Sequence, residues 1–277
     1  MALKLMYITN HPEIAVIAEN AGVDRVFVDM EYIGKSQRQR GMDTVQSHHT
    51  VEDVKKIREV LHTAQLIVRV NPIHDAAGNE CSSEEEINAV IEAGADFVML
   101  PYFQTTEEVE KCVGIVKGRA KVFPLLESKA AVAEIDEILK ISGIDEIHVG
   151  LNDLSLDLKK KFMFELLADG TVEKLCQKFR EKGIPYGFGG IGRLGKGELP
   201  AEHVIKEHYR LGSTCAILSR SFCNADQITD LHEVKEIFEK GVKEIRTLEA
   251  ECADHRRYFT DNEEMVREKV EAIVERR

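Results

Sequence analysis

The sequence has no run of apolar residues long enough to cross a membrane, and its opening MALKLMYITNHPE lacks the long apolar core and cleavage site of a secretory leader. Nor is there a surplus of positive charge: 37 Lys and Arg stand against 49 Asp and Glu, a formal net charge of −12. Nucleic acids and anionic membranes need a basic surface, so this balance argues against both as main partners. Paired cysteines are missing too. Cys81, Cys112, Cys176, Cys215, Cys223 and Cys252 are scattered without a C-x-x-C spacing, as expected of free thiols in a reducing compartment. No linker, composition break or regular repeat divides the 277 residues. The expectation is a soluble cytoplasmic protein, long enough for one large barrel or two smaller domains.

Short apolar runs alternate with longer amphipathic stretches. The runs predict eight strands, at Leu3–Ile8, Asp24–Asp29, Gln65–Val70, Phe97–Leu100, Lys121–Leu126, Glu146–Val149, Pro185–Phe188 and Cys215–Leu218. The stretches predict helices at Pro12–Ala21, Val51–His62, Ser83–Ala93, Glu107–Val116, Lys129–Ile141, Thr171–Lys182, Ala201–Leu211 and Ile228–Ala253. Capping boxes are expected at Ser83 with Glu86, Thr105 with Glu108 and Thr260 with Glu263. Glycine closes several helices, as in IEAGADFVML and ENAGVDRVFV, where it supplies a left-handed cap. Eight strand–helix units in a row predict an α/β chain folded as a single (β/α)8 TIM barrel over residues 1–253. A doubly wound sheet is the alternative, and eight units overfill it. Residues 254–277 form an extra C-terminal helix whose Val266, Val270 and Ile273 share a face, suited to packing on a neighbouring subunit or on its own barrel.

Such a barrel carries its active site at the C-terminal ends of the strands. Strand two ends in VDMEY, with Asp29 and Glu31, and strand three in IVRVN, with Arg69. Strand five delivers Glu127, strand six Asn152 and Asp153, and strand eight Ser219 and Arg220. Solvated strand ends account for one or two such residues, but less easily for Arg69, Glu127 and Asp153 together. Two carboxylates with water suit Mg²⁺ or Mn²⁺, which bind through one or two carboxylates and keep a position for substrate oxygens. Arg69 could hold a carboxylate or a developing oxyanion with its planar fork. The combination suits enolate chemistry on a 2-oxo acid, with structural salt bridges as the competing reading.

The blocks GVDRVFVDMEY, IVRVN, AVIEAGADFVMLPYFQTTEEVEKCV, VFPLLESKAAVAEIDEIL and GIDEIHVGLNDLS occur in that order from about Gly22 to Ser155. Together they resemble the HpcH/HpaI aldolase/citrate lyase family, with a looser likeness through strands seven and eight. The resemblance implies a metal-dependent carbon–carbon lyase of the class II aldolase type, a homo-oligomer and often a hexamer, acting on a 2-oxo acid and an aldehyde. It implies Glu127 and Asp153 as ligands of Mg²⁺ or Mn²⁺, and Arg69 as the group that stabilises a pyruvate-derived enolate. Gly150, Asn152 and the amides beside them would bind the substrate carboxylate. A CoA-thioester lyase of the citrate lyase branch is the alternative, and it would need a basic patch. A non-catalytic barrel that keeps the metal pair is a third.

The chain departs from that family where Asp-x-Glu-His is usual at the end of strand two. It has DMEY instead, so Tyr32 stands in the place of the histidine that supports proton transfer beside Asp29. With a reference pKa of ~10, tyrosine is a poor base at neutral pH, and substrate binding through its hydroxyl is the other role open to it. The loop that follows contains His48 and His49, and the expectation is that one of them, His49 being the one to test, replaces the missing base. Lysines 159 to 161 stand where the family has glycine after DLS. GFGGIG fits a dinucleotide pattern by letter only, because RLGKGELP intervenes before the next helix. A flexible loop at the barrel mouth is expected there. Lys129 is expected to be solvated, and His208 and Arg210 to lie at a surface or interface.

Overall fold

Eight parallel strands pair in chain order and close on themselves, β1 against β8. The computed structural model describes residues 2–35, 49–78, 81–225, 227–228, 230–254 and 258–277. The strands are β1 Lys4–Ile8, β2 Arg25–Asp29, β3 Gln65–Arg69, β4 Phe97–Leu100, β5 Lys121–Leu126, β6 Ile147–Val149, β7 Tyr186–Ile191 and β8 Cys215–Leu218. Around them lie α1 Pro12–Asn20, α2 Val51–Val60, α3 Ser83–Glu92, α4 Thr106–Val116, α5 Lys129–Ala133, α6 Ile135–Ile138, α7 Leu151–Asp157, α8 Glu165–Ala168, α9 Thr171–Lys182, α10 Ala201–Leu211, α11 Leu231–Asp254 and α12 Tyr258–Glu275. This is the expected (β/α)8 barrel with an added C-terminal helix. No helix among the described residues is long and apolar enough to cross a membrane.

Parallel strands covered on both faces are apolar throughout, and their period of two splits the core into two layers. Met6, Phe27, Ile67, Phe97, Met99, Phe123, Leu125 and Cys215 fill the barrel interior as one cluster. Val26, Val28, Leu66 and Val68 alternate with them and pack under the helices. The same alternation carries chemistry to one end. On β2 the inward series runs Arg25, Phe27, Asp29; on β3 and β5 it continues from Ile67 to Arg69 and from Leu125 to Glu127. At the opposite end Arg25 is buried against Glu146 at 2.8 Å.

The predicted helix Lys129–Ile141 is broken at Glu134. The Glu134 carboxylate accepts from the Thr106 amide and hydroxyl, both at 2.8 Å, and its backbone leaves the helix there. One capping box is shifted by a residue: it is formed by Ser82 with Glu85, not Ser83 with Glu86. Consecutive serines and glutamates allow either register. The inner pair is already engaged, Ser83 with His74 and Glu86 with Asn71. Thr105 with Glu108 forms as expected, whereas Thr260 lies within α12 rather than at the position before it. The GFGGIG segment is not a loop. Its residues up to Ile191 belong to β7, which is irregular in register between Gly187 and Gly190.

The C-terminal helix packs on its own barrel, against α10 and α8, with Val266 and Val270 buried. Asn262 pins it: Nδ2 donates to the His203 carbonyl at 3.1 Å and to Glu207 Oε1 at 2.8 Å. His208 is not at a surface. It is fully buried, its ring stacked on Phe188 at 3.9 Å with Nδ1 against Ser213 Oγ. Arg210 is largely buried too, paired with Glu207 and Glu173. Lys129 is exposed, as expected.

Candidate active site

At the C-terminal mouth a cavity of about 180 Å³ is lined by Arg69, Leu125, Glu127, His148, Gly150, Leu151, Asn152, Asp153, Met163, Gly189, Gly190 and Ile217. It brings together five of the eight residues expected from the sequence: Arg69, Glu127, Gly150, Asn152 and Asp153. Asp29, His49 and Tyr32 are not among the described residues that line it.

Glu127 follows β5 directly and is buried. Its Oε1 accepts the Tyr102 amide at 3.0 Å, an amide presented by a residue in the left-handed region, φ 44°. On its other side is Gly150, where a Cβ atom would lie 2.7 Å from Glu127 Oε2 and 3.0 Å from its Cβ. Glycine is therefore required at 150 for close approach, not for an unusual backbone. Asp153 stands in the first turn of α7, which starts at Gly150 without a side-chain cap. The Asn152 side-chain Nδ2 donates to Asp153 Oδ1 at 3.1 Å. The helix ends at Asp157, and Lys159 takes a left-handed conformation, φ 56°, in the lysine run where glycine was expected.

Arg69 reaches the cavity from β3, its guanidinium over the Phe27 ring at 5.3 Å. Nε and Nη2 donate to the two oxygens of Asp29, each at 2.7 Å, a bidentate pair. Glu31 lies 3.4 Å from Nε. Burial alone would raise the Asp29 carboxyl, but Arg69 and then Lys35 hold it well below the usual carboxylate range. Burial likewise disfavours the Arg69 cation, and Asp29 and Glu31 outweigh it, so the guanidinium stays charged. Asp29 is thus fully engaged as a holder of Arg69.

His49 accepts the Asp29 backbone N–H at Nδ1, 3.0 Å away. In the neutral ring this puts the proton on Nε2. His48 lies outside the described residues. Tyr32 is 45 % exposed, and its amide, with that of Ile33, donates to Asn71 Oδ1 at 3.0 Å. Asn71 is in turn held by Glu86, whose carboxyl is raised by burial.

Sequence reasoning missed His148 and Lys35, and it placed the GFGGIG glycines at the mouth as a loop rather than as a strand that walls the cavity. His148 is buried on β6 under the cavity, its Nε2 3.0 Å from the Gly189 carbonyl and its Nδ1 facing Cys215 Sγ at 3.8 Å. Gly189 and Gly190 form part of the wall, and Gly187 lies where a Cβ would be 2.4 Å from the Cys215 carbonyl. Lys35 is buried beside Asp29. The inward period of β6, Glu146–His148–Gly150, is the signal that could have found His148.

The donor set in the cavity is oxygen. Among the described residues no three His, Cys, Asp or Glu side chains gather as a closed metal cage. Two carboxylates with room for water fit Mg²⁺ or Mn²⁺ better than a structural zinc site.

A closed (β/α)8 barrel with paired acids and a held arginine at its C-terminal mouth defines an enzyme-like scaffold. The model of the HpcH/HpaI aldolase/citrate lyase family matches residues 4–184, and the chain belongs to that family. Two solved structures share the fold. An HpcH/HpaI aldolase/citrate lyase family protein of Burkholderia cenocepacia aligns with TM-score 0.61 at 14 % identity, over 84 % of this chain and 95 % of that one. An HpcH/HpaI aldolase of Desulfitobacterium hafniense aligns with TM-score 0.58 at 17 % identity, over 88 % and 93 %. A pyruvate kinase of Methylorubrum extorquens is 33 % identical over 73 residues, 26 % of this chain and 15 % of that enzyme's length. Lyase or aldolase chemistry is the family's activity class.

Proposed function

We propose that this chain is a divalent-metal-dependent lyase that makes or breaks a carbon–carbon bond next to a 2-oxo acid, through a pyruvate-type enolate. The observation that carries the proposal is the shared cavity of Arg69, Glu127 and Asp153. Glu127 and Asp153 would hold Mg²⁺ or Mn²⁺, and the bound cation would polarise the substrate carbonyl. Tyr102 and Gly150 confine the Glu127 carboxylate, so little reorganisation is left for binding. The first-turn amides of α7 at Asn152 and Asp153 are the donors offered to a substrate carboxylate. Arg69 commits two nitrogens to Asp29 and offers its remaining N–H groups to the oxygen that gains charge. The match of a 73-residue segment to an enzyme named for pyruvate accords with this substrate class.

The test is exchange of pyruvate methyl protons in D₂O with added Mg²⁺ or Mn²⁺, comparing the native chain with Glu127→Gln. Metal-dependent exchange that is lost in the variant is expected. Exchange that ignores the metal, or survives the substitution intact, would overturn the proposal.

A further inference from the structure

With Tyr32 standing where the family has histidine, His148, which lines the cavity, is an obvious candidate for a base. The geometry of its ring gives it another part. Nε2 lies 3.0 Å from the Gly189 carbonyl, and a carbonyl oxygen only accepts, so the ring carries its proton on Nε2. Burial pushes the imidazole down to about 4, so the ring is neutral at ordinary pH. Nδ1 is then an acceptor, and it faces Cys215 Sγ at 3.8 Å in the barrel interior. Both nitrogens face protein atoms, and what the ring offers the cavity is carbon.

The ring has little room to leave this position. It is fully buried, Phe123 meets it edge to face with centroids 6.1 Å apart, and a Cβ at Gly187 would lie 2.8 Å from Nδ1. What it holds is the irregular stretch of β7. Gly187 pairs with Cys215 and Gly190 with Ile217, so Phe188 and Gly189 stand opposite Ala216 alone. Such a bulge takes backbone groups out of the ladder, and here His148 donates to the carbonyl of the bulged Gly189. Gly189 takes φ 54°, and a Cβ there would lie 2.6 Å from Leu151 Cδ1. Gly189 and Gly190 line the cavity without side chains, so the position of their backbone sets its width on the β7 side.

We infer that His148 is a positioning residue that sets substrate size: by holding the Gly189 carbonyl it fixes the glycine wall of β7, and that wall admits pyruvate while it crowds longer 2-oxo acids. The inference rests on the cavity being a 2-oxo acid site. His148 moves no proton in it. A cavity of about 180 Å³ has little slack, and one methylene against a fixed wall is worth about 10–200-fold in discrimination.

The experiment compares exchange of the C3 protons of pyruvate and of 2-oxobutyrate in D₂O with Mg²⁺, for the native chain, His148→Leu and His148→Gln. Leucine fills the space and loses the donor, whereas glutamine keeps an N–H at similar reach. His148→Leu should lower the preference for pyruvate about tenfold, chiefly through a lower KM for 2-oxobutyrate. His148→Gln should keep both the preference and the pyruvate rate within about threefold of native. A group that transfers a proton would instead lose about 10²–10⁴-fold in both variants alike. A role in stability alone would leave the preference unmoved. Nitrogen NMR of histidine-labelled native protein, assigned with His148→Gln, reads the tautomer without any substrate.

Should His148→Leu not fold, His148→Gln and the tautomer decide. The inference is overturned if folded His148→Leu prefers pyruvate as the native chain does, or if His148→Gln loses more than about hundredfold in exchange. A ring that is charged at neutral pH, or that carries its proton on Nδ1, overturns it as well. Native protein that exchanges neither acid defeats the lyase reading and the size filter with it. Native exchange with an unmoved preference in His148→Leu defeats this inference alone.

Discussion

Asp29 receives the guanidinium of Arg69 through two hydrogen bonds of 2.7 Å, from Nε to one oxygen and Nη2 to the other, with Asp29 almost wholly buried. Fork against carboxylate fixes the plane of Arg69 as well as its charge. Asp29→Asn keeps the shape and removes the anion. Breaking a buried pair from one side costs about 3–5 kcal/mol, and a displaced catalytic group costs about 10²-fold in rate. Urea unfolding and pyruvate exchange on Asp29→Asn should show both losses together.

Acid should lower the stability of the fold over two pH ranges. His148 and His208, whose ordinary value is 6.5, are pushed down to about 4 and about 3, in each case chiefly by burial. Between those values and 6.5 the unfolded chain binds protons that the folded chain refuses, so stability falls as pH drops below about 6.5. Asp29, held below its ordinary range, contributes stability that is present above about pH 4 and lost in stronger acid. His208→Phe keeps the stack on Phe188, and Ser213 Oγ retains the Tyr186 and Cys215 carbonyls. The gap in urea midpoint between pH 7.5 and pH 5, the two conditions to compare, should narrow in this variant. An unchanged gap would show that His208 does not carry the loss in the higher range.

Gly150 has φ −80° and ψ 90°, a backbone that alanine tolerates. The added methyl would instead press on Glu127, at 2.7 Å from Oε2 and 3.0 Å from Cβ. Gly150→Ala should fold with a loss of about 1–3 kcal/mol, the usual cost of overpacking, and should lose metal-dependent exchange far out of proportion. Circular dichroism melts and the exchange assay separate the two effects.

Asn262 ties the last helix to α10 through His203 and Glu207. Asn262→Ala should cost about 1–3 kcal/mol, because it leaves buried partners unsatisfied. Its exchange rate should equal that of the native chain under folding conditions, since the contact lies away from the cavity.

All eight strands were legible because two-sided burial makes each an apolar run bounded by turns, and Arg69, Glu127 and Asp153 were legible because charge at such a strand end is conspicuous. What escaped was fixed by packing in three dimensions. Whether Ser82 or Ser83 caps α3 depends on His74, nine residues away from Ser83. The glycines of β7 looked like a loop because their reason for being small lies on β6, β8 and α7, in His148, Cys215 and Leu151. Lys35 gave no periodic signal. Its inward turn comes from Asp29 and Glu31, not from its neighbours' pattern.

Tyr102 carries a different consequence. A non-glycine residue at φ 44° holds its backbone in an unfavoured region, and its amide is what Glu127 Oε1 receives. Tyr102→Gly would relax that conformation, worth about 1 kcal/mol, yet it would also let the amide wander. Fold stability and turnover would then be expected to move in opposite directions at one position. Backbone strain at Tyr102 and the fixed position of the Glu127 carboxylate are therefore two sides of one contact.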